Sequence, residues 1–402
     1  MDSLRLSQLL SLDDHNADAK QETLEFQLGQ LLSIRSVIST TSSFAEQQQA
    51  AADGNTTSQH RLIGWGACGA VYARDGNTKV LKLAKTDDIQ LWNDYVMNTR
   101  VWEAISKTLE VSDEVHVPCP DYFVAKTDEE WWEDNRGLLP AKDLPIHVPC
   151  GVYSMERIFP MPPAIRMLLV EKFCAERHRI KALVAPGNKD CLVRIYLGSR
   201  QGRSGGSFFS LRNFKLHLNQ MEELEMDTIE LAMFMAGALA ALHWQAGIDA
   251  RDVEFVLGSA PTFPIVEPLS SEELQKMDPN TSTALRVKRK INFSRRSLHL
   301  WVLDFNQCSE ITMDNDGIKK AVNAYRVNDP YFPKPSREYE RDIDLWNAFA
   351  IRYLKVSDRI LRHENPEIRN LPKKFIQAVI VDYEDKQQQK AAAAAASESY
   401  GP

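Results

Sequence analysis

The stretch Gly64-Trp65-Gly66-Ala67-Cys68-Gly69-Ala70-Val71-Tyr72, followed by Val80-Leu81-Lys82-Leu83, constrains the chain more than any other. Three glycines at this spacing let the backbone turn tightly and approach a phosphate with no Cβ in the way. Val80, Leu81 and Leu83 set Lys82 in a strand, from which its ammonium reaches phosphate oxygens as a point charge. A dinucleotide-binding fingerprint needs a helix directly after the loop. Here Ala70-Val71-Tyr72-Ala73 has strand character instead, and Asp75-Gly76-Asn77 marks a hairpin turn. The pattern predicts a glycine-rich hairpin between two strands, then a lysine on the next strand.

A chain of 402 residues can bury a substantial core, as one large or two small domains. Its net charge of −7 disfavours a general nucleic-acid binder. No apolar run approaches the roughly 18 residues of a membrane span, so no membrane association is expected. Met1-Asp2-Ser3 is not a basic region leading into an apolar block, and no secretory signal is expected. The cysteines at 68, 119, 150, 174, 191 and 308 lie far apart with no C-x-x-C. They suit reduced thiols in an intracellular protein, cytoplasmic or nuclear.

Along the chain, residues 1–58 are expected to form a flexible arm. Leu4, Leu6, Leu9 and Leu10 suit a short amphipathic helix, and a partner-binding helix within 4–12 is the alternative to disorder there. Leu24 to Ile38 suits a second helix, but the Ser/Thr and Gln/Ala tracts that follow cannot bury enough to order themselves. Residues 59–158 are expected to be a small strand-rich unit. Its helix, Ile89 to Lys107, carries two acids able to hold Lys82: Asp94, which is preferred, and Glu103 with its longer arm. His116-Val-Pro-Cys119 and His147-Val-Pro-Cys150 could in principle supply four zinc ligands. They lack the tight knuckles of a closed site, so two strands entered through prolines fit better and zinc is not expected. Thr127 to Pro145 is an acidic surface insertion. Residues 159–385 are expected to be largely helical with insertions. These include a basic Gly198–Ser207 loop and a hydrophilic, charge-rich loop from Ser259 to Arg296. Residues 386–402, with six alanines in a row, are expected to be disordered.

A second acidic stretch follows a buried helix: Gly247-Ile-Asp249-Ala-Arg251-Asp252-Val-Glu254-Phe-Val-Leu257. Later, Leu298-His-Leu-Trp-Val-Leu303-Asp304-Phe305-Asn306 is an apolar strand ending in an acid. Loop, strand lysine and these acids, in this order, resemble the protein kinases. The resemblance implies an α+β, two-lobed fold with a small strand-rich N-lobe (59–158) and a truncated helical C-lobe (159–385). It implies ATP and Mg²⁺ as cofactors. Gly64, Gly66, Gly69 and Val71 would cover the nucleotide, Lys82 would hold its phosphates and Asp94 would hold Lys82. Met155 and Glu156 would form the hinge beside the base. Asp304 would bind Mg²⁺, with Glu254 assisting in the place of an asparagine. Asn306 stands where kinases have glycine, a position needing φ > 0. The catalytic base has two candidates: counting back from Phe255-Val256-Leu257 gives Asp249, which is preferred, and counting forward from Leu242-His243 gives Asp252.

More narrowly, Asp252-Val-Glu-Phe-Val-Leu-Gly258, Leu303-Asp-Phe-Asn-Gln-Cys308 and Asp329-Pro-Tyr-Phe-Pro-Lys-Pro335 resemble a fungal family of unknown function. Its members are sometimes labelled zinc-finger proteins. Two functions follow from the kinase resemblance. One is an ATP-dependent phosphotransferase acting on a small molecule or another acceptor unlike those of protein kinases. The other is a pseudokinase that serves as a binding module for a protein or other partner.

Overall fold

The computed structural model describes residues 23–34, 36–39, 43–52, 59–86, 88–135, 137, 139, 146–206, 208–267, 269, 275–276 and 288–398. The region expected to be a flexible arm is, over much of 23–52, part of the fold. Helix α1 (Leu24–Leu31) starts at Thr23, whose Oγ1 accepts Phe26 N–H at 3.3 Å. Its Leu28 is fully buried in the larger hydrophobic core, as is Leu32 just beyond its end. Strand β1 (Val37–Ser39) pairs antiparallel with residues 295–297. Helix α2 (Ser43–Ala52) follows. Composition misled here because a few well-spaced leucines, and not the average of the segment, decide whether it docks. The helix proposed within 4–12 lies outside the described residues. Leu28→Ala is expected to cost about 2–5 kcal/mol in chemical denaturation, as for a filled core site. An arm free of the core would leave the midpoint unchanged.

The first sheet comprises β2 (Arg61–Trp65), β3 (Gly69–Ala73), β4 (Lys79–Ala84) and, after helix α3 (Asp88–Lys107), strands beyond it. Short β5 (Val115–His116) leaves to join the second sheet, while β6 (Pro120–Val124) and β7 (Val152–Glu156) stay. The order is β2-β3-β4-β7-β6, antiparallel throughout. Central β4 is buried continuously from Val80 to Ala84, which places Lys82 inside the protein. A separate apolar cluster, including Tyr72, Leu83, Leu91 and Val152, lies between this sheet and α3.

Helix α4 (Pro163–Phe173) leads into β8 (Val193–Tyr196) and β9 (Phe214–His217). Buried helix α5 (Thr228–Ala240) is capped by Asp227, whose Oδ1 accepts Glu230 N–H at 2.8 Å. Strands β10 (Glu254–Glu267) and β11 (Lys288–Leu303) form a long antiparallel hairpin. The order is β1-β11-β10-β8-β9, with β5 parallel to β11. The second half is thus mixed α/β and not chiefly helical as expected. Much of the hydrophilic stretch 259–296 pairs as strand; residues 268, 270–274 and 277–287 of it lie outside the described residues. Arg296, expected in a solvated loop, is buried beside Pro160 O (3.3 Å) and Ser259 Oγ (3.4 Å). Alternate residues of a paired strand point inward, whatever their charge.

Helices α6 (Asn315–Val327), α7 (Glu340–Ile360) and α8 (Leu371–Glu398) complete the fold, α7 packing on α5. Helix α8 extends to Glu398, so the expected disorder of 386–402 gives way to helix over most of that tail. Among the described residues, no helix is long and apolar enough to cross a membrane.

Helix α2 spans both sheets. Gln48 is fully buried, and its Oε1 accepts Gly76 N–H (3.0 Å) and Arg157 Nη1–H (3.1 Å). Its Nε2 donates to Asp75 Oδ1. The neighbouring Gln49 Oε1 accepts Phe293 N–H from β11 at 3.4 Å. One helix therefore ties the β3–β4 turn, the segment leaving β7 and the hairpin of the second sheet.

Candidate functional site

Between the two sheets lies a cleft with about 1080 Å³ of space, part of it open to solvent. At its inner end Lys82 Nζ stands 2.7 Å from Asp94 Oδ2 and 3.0 Å from Asp304 Oδ1. The triad joins β4, α3 and the end of β11, residues far apart in sequence. Asp94 is 3% exposed, and its Oδ1 accepts Phe305 N–H at 2.8 Å. Glu103, the other helix acid, is exposed and pairs with Lys107 at 3.7 Å. Burial alone lowers the Lys82 pKa, but Asp304 and Asp94 outweigh it and hold the ammonium charged. Burial pushes the Asp94 carboxyl up, and Lys82 with Phe305 N–H pulls it back.

The glycine loop lines the same cleft through Gly64, Gly66 and Gly69, with Val71 beside them. Gly66 N–H donates to Gly69 O at 2.9 Å, closing the hairpin on itself. A Cβ on Gly69 would meet Leu83 O at 2.8 Å and Lys82 Cγ at 3.0 Å. Gly69 is therefore required by the close approach of the lysine strand, whether or not a ligand is present.

Met155 and Glu156 also reach the cleft. Glu156, however, spends its carboxylate on Cys119 N–H (3.0 Å) and its N–H on Cys119 O (2.9 Å). Arg157 N–H goes to Thr78 O at 2.7 Å. The N–H groups of Glu156 and Arg157 are thus both engaged within the protein. Apolar walls remain, from Val71, Val80, Met155, Leu192 and Leu303.

The acidic stretch divides. Asp249, the preferred base, is 2% exposed. Its Oδ1 accepts Ser309 N–H (3.0 Å) and Arg251 N–H (3.1 Å), and its Oδ2 accepts Ser309 Oγ–H (2.8 Å). A carboxylate with both oxygens engaged this way fixes loops; it is not among the groups lining the cleft. Strand register favours Asp249, whose two oxygens are both engaged; Asp252, like it, is not among the groups lining the cleft. Asp252 lies on the Asp304 side: burial raises its carboxyl, and the Asp304 charge adds to that. Among the described residues, three of the five non-glycine residues with positive φ are Ala250 (56°), Asp252 (62°) and Asp304 (68°). The left-handed position expected at Asn306 thus falls at Asp304. Strained backbone of this kind persists where the surroundings over-determine it, commonly at functional sites.

Glu254 opens β10 and pairs with Arg194 Nη2 of β8 at 2.6 Å. Sequence reasoning missed Arg194; a lone charge within Leu192-Val-Arg-Ile-Tyr-Leu197 was the signal. Burial pushes the Glu254 carboxyl up to about 7; Arg194 opposes the rise, and Asp304 and Asp252 add to it. A carboxyl whose folded pKa lies above its unfolded one keeps its proton longer in the native state. Its contribution to stability therefore falls as pH climbs from 4.5 through about 7. Glu254→Gln is expected to flatten the decline in denaturation midpoint over about pH 5 to 7. An unchanged slope would place that titration elsewhere.

For a metal, the described residues offer one group of three: Cys68, Asp94 and Asp304. Asp94 has both oxygens engaged, and burial pushes the Cys68 thiol up to about 11, away from the thiolate a soft metal needs. Asp304 uses Oδ1 on Lys82, which leaves Oδ2. A carboxylate oxygen suits a hard cation such as Mg²⁺ better than zinc. The two H-x-x-C phrases do not converge among the described residues: the His116 ring packs tilted against that of His299 with centroids 4.0 Å apart, and Cys119 donates to Pro120 O at 3.6 Å.

A family model described as "Zinc finger protein", of a domain of unknown function, matches residues 300–365. That segment holds one cysteine, Cys308, and one histidine, His363. A closed zinc site takes four ligands, so the segment cannot form one from Cys and His alone. What it does contain is the end of β11 with Asp304, and helices α6 and α7 up to the loop beyond. No curated protein and no solved structure matches the chain.

Proposed function

We propose that the chain is a two-lobed, kinase-like nucleotide-binding protein that takes ATP with Mg²⁺ and transfers its terminal phosphoryl group to an oxygen of a small molecule or other acceptor unlike those of protein kinases, with ADP leaving. The observation that carries this is Lys82, held between Asp94 of α3 and Asp304 just beyond β11 at the head of an interlobe cleft. A lysine on the third strand of an antiparallel sheet, paired with an acid on the next helix, is the phosphate-binding arrangement of kinases. The five-strand order and the glycine hairpin beside that strand support the same reading. The apolar walls would hold the base mainly by contact, since the neighbouring N–H groups are engaged. Lys82 would hold phosphate oxygens, and Asp304 would hold Mg²⁺ with Glu254 nearby. Bound there, Mg²⁺ would supply charge neutralisation at the phosphates. Asp252, whose carboxyl burial raises with the Asp304 charge adding to the rise, is the candidate base.

A second reading, nucleotide binding without turnover, draws on Asp249 being locked to Ser309 and on Glu254 being paired with Arg194. Calorimetric titration with a non-hydrolysable ATP analogue, with and without Mg²⁺, tests both. Metal-dependent binding supports the shared nucleotide site, and ADP release from ATP separates the two. Absence of binding at millimolar analogue in either condition would overturn both.

A further inference from the structure

Kinases hold a second metal ion through an asparagine at the place Glu254 takes here. In this protein a cation already stands there. Arg194 reaches the cleft from β8, which pairs with β10 through Val256↔Arg194. Its Nη2 lies 2.6 Å from Glu254 Oε1. The guanidinium raises no problem of protonation, since it stays charged at any pH the fold survives. Its charge reaches both Glu254 and Asp252, and Asp304 and Lys82 act on the same Glu254 carboxyl.

Asp304 spends Oδ1 on Lys82, so its Oδ2 is the oxygen left for one divalent cation. A second such ion at Glu254 would have to displace Arg194 from a half-buried ion pair in which Arg194 is 21% and Glu254 18% exposed. Removing one partner of a buried pair is strongly unfavourable.

We infer that Arg194 is a built-in phosphate-binding cation that replaces a second metal ion, so that the nucleotide binds with a single divalent cation. This rests on the nucleotide-binding reading above. The planar guanidinium can keep Glu254 on one edge and offer the other to a phosphate, a division that its fork of donors permits and a metal ion does not need.

The test is calorimetric titration of the full chain with a non-hydrolysable ATP analogue over a range of free Mg²⁺. For the wild type, affinity is expected to rise with the first power of free Mg²⁺. Arg194→Met should weaken binding about tenfold to hundredfold at moderate Mg²⁺, the loss of one charge-assisted phosphate contact. It also frees Glu254, so the metal dependence should steepen towards the second power as Mg²⁺ takes the vacated place. The double variant Arg194→Met/Glu254→Gln guards against misfolding from an unpaired buried carboxylate; it should bind as weakly but keep first-power dependence. Arg194→Lys should recover most of the affinity. Second-power dependence in the wild type, or Arg194→Met with unaltered affinity and order, would overturn the inference. In that outcome Lys82→Met still has to lose analogue binding if the nucleotide reading itself stands. Should the wild type bind no analogue, the reading and the inference fall together.

Discussion

Lys82→Ala is expected to unfold the protein at markedly lower denaturant as well as to remove the proposed nucleotide binding. The side chain is not a surface contact awaiting a ligand: it is 7% exposed and lies between two carboxylates. Without it Asp94 and Asp304 face each other with no cation between, and an uncompensated buried charge costs about 3–5 kcal/mol. Acid should relieve the loss, because burial already favours the protonated form of Asp94. The gap in stability between wild type and variant is therefore expected to narrow as pH falls. Lys82→Met/Asp94→Asn, which removes the charge pair together, should recover much of the stability but none of the analogue binding. Calorimetry and denaturation at two pH values check this. A Lys82→Ala protein as stable as the wild type would mean that the triad adds nothing to the fold.

Asp249 and Asp252 should separate stability from turnover. Asp249→Ala leaves the donors of Ser309 and Arg251 without their acceptor. Each donor left buried and unpaired costs about 1–3 kcal/mol, so the variant should melt early. Asp252→Asn changes a carboxyl that accepts one side-chain bond, from Gln307 Nε2 at 2.5 Å. Its stability should hold, while ADP release falls about a hundredfold to ten-thousandfold if the carboxylate acts as base. The reverse pattern, with Asp249→Ala stable but inactive, would restore the first register.

The residues that meet at the cleft were legible because their chemistry is unusual for their setting. A lysine amid Val80, Leu81 and Leu83, or an acid closing Leu298–Leu303, is too costly to bury without a partner. The Asp249 and Asp252 alternatives were not separable from spacing. What distinguishes them is a contact with Ser309, sixty residues on, and a left-handed backbone at Asp252. The arm was missed for a related reason. Its helix α1 is held by Leu28 and by the close approach of Gly29 to Leu224 O, where a Cβ would come within 1.9 Å. Such a contact leaves no trace in local composition. The long hairpin was missed because its strands carry charges, including Arg296, whose burial depends on partners in other parts of the chain.

Helix α2 has a consequence for regulation. Gln48 bonds to both the β3–β4 turn and Arg157, and Gln49 to the second sheet, so relative motion of the sheets must strain bonds that run through residues 43–52. Opening of the cleft and undocking of this helix then share one free energy. Thermodynamic reciprocity follows: whatever factor a cleft ligand adds to the docking equilibrium of the helix, docking adds to the affinity for that ligand. A partner that captures residues 43–52 would act at a distance on the cleft without touching it. Hydrogen exchange in that helix should in turn slow when a nucleotide analogue is bound.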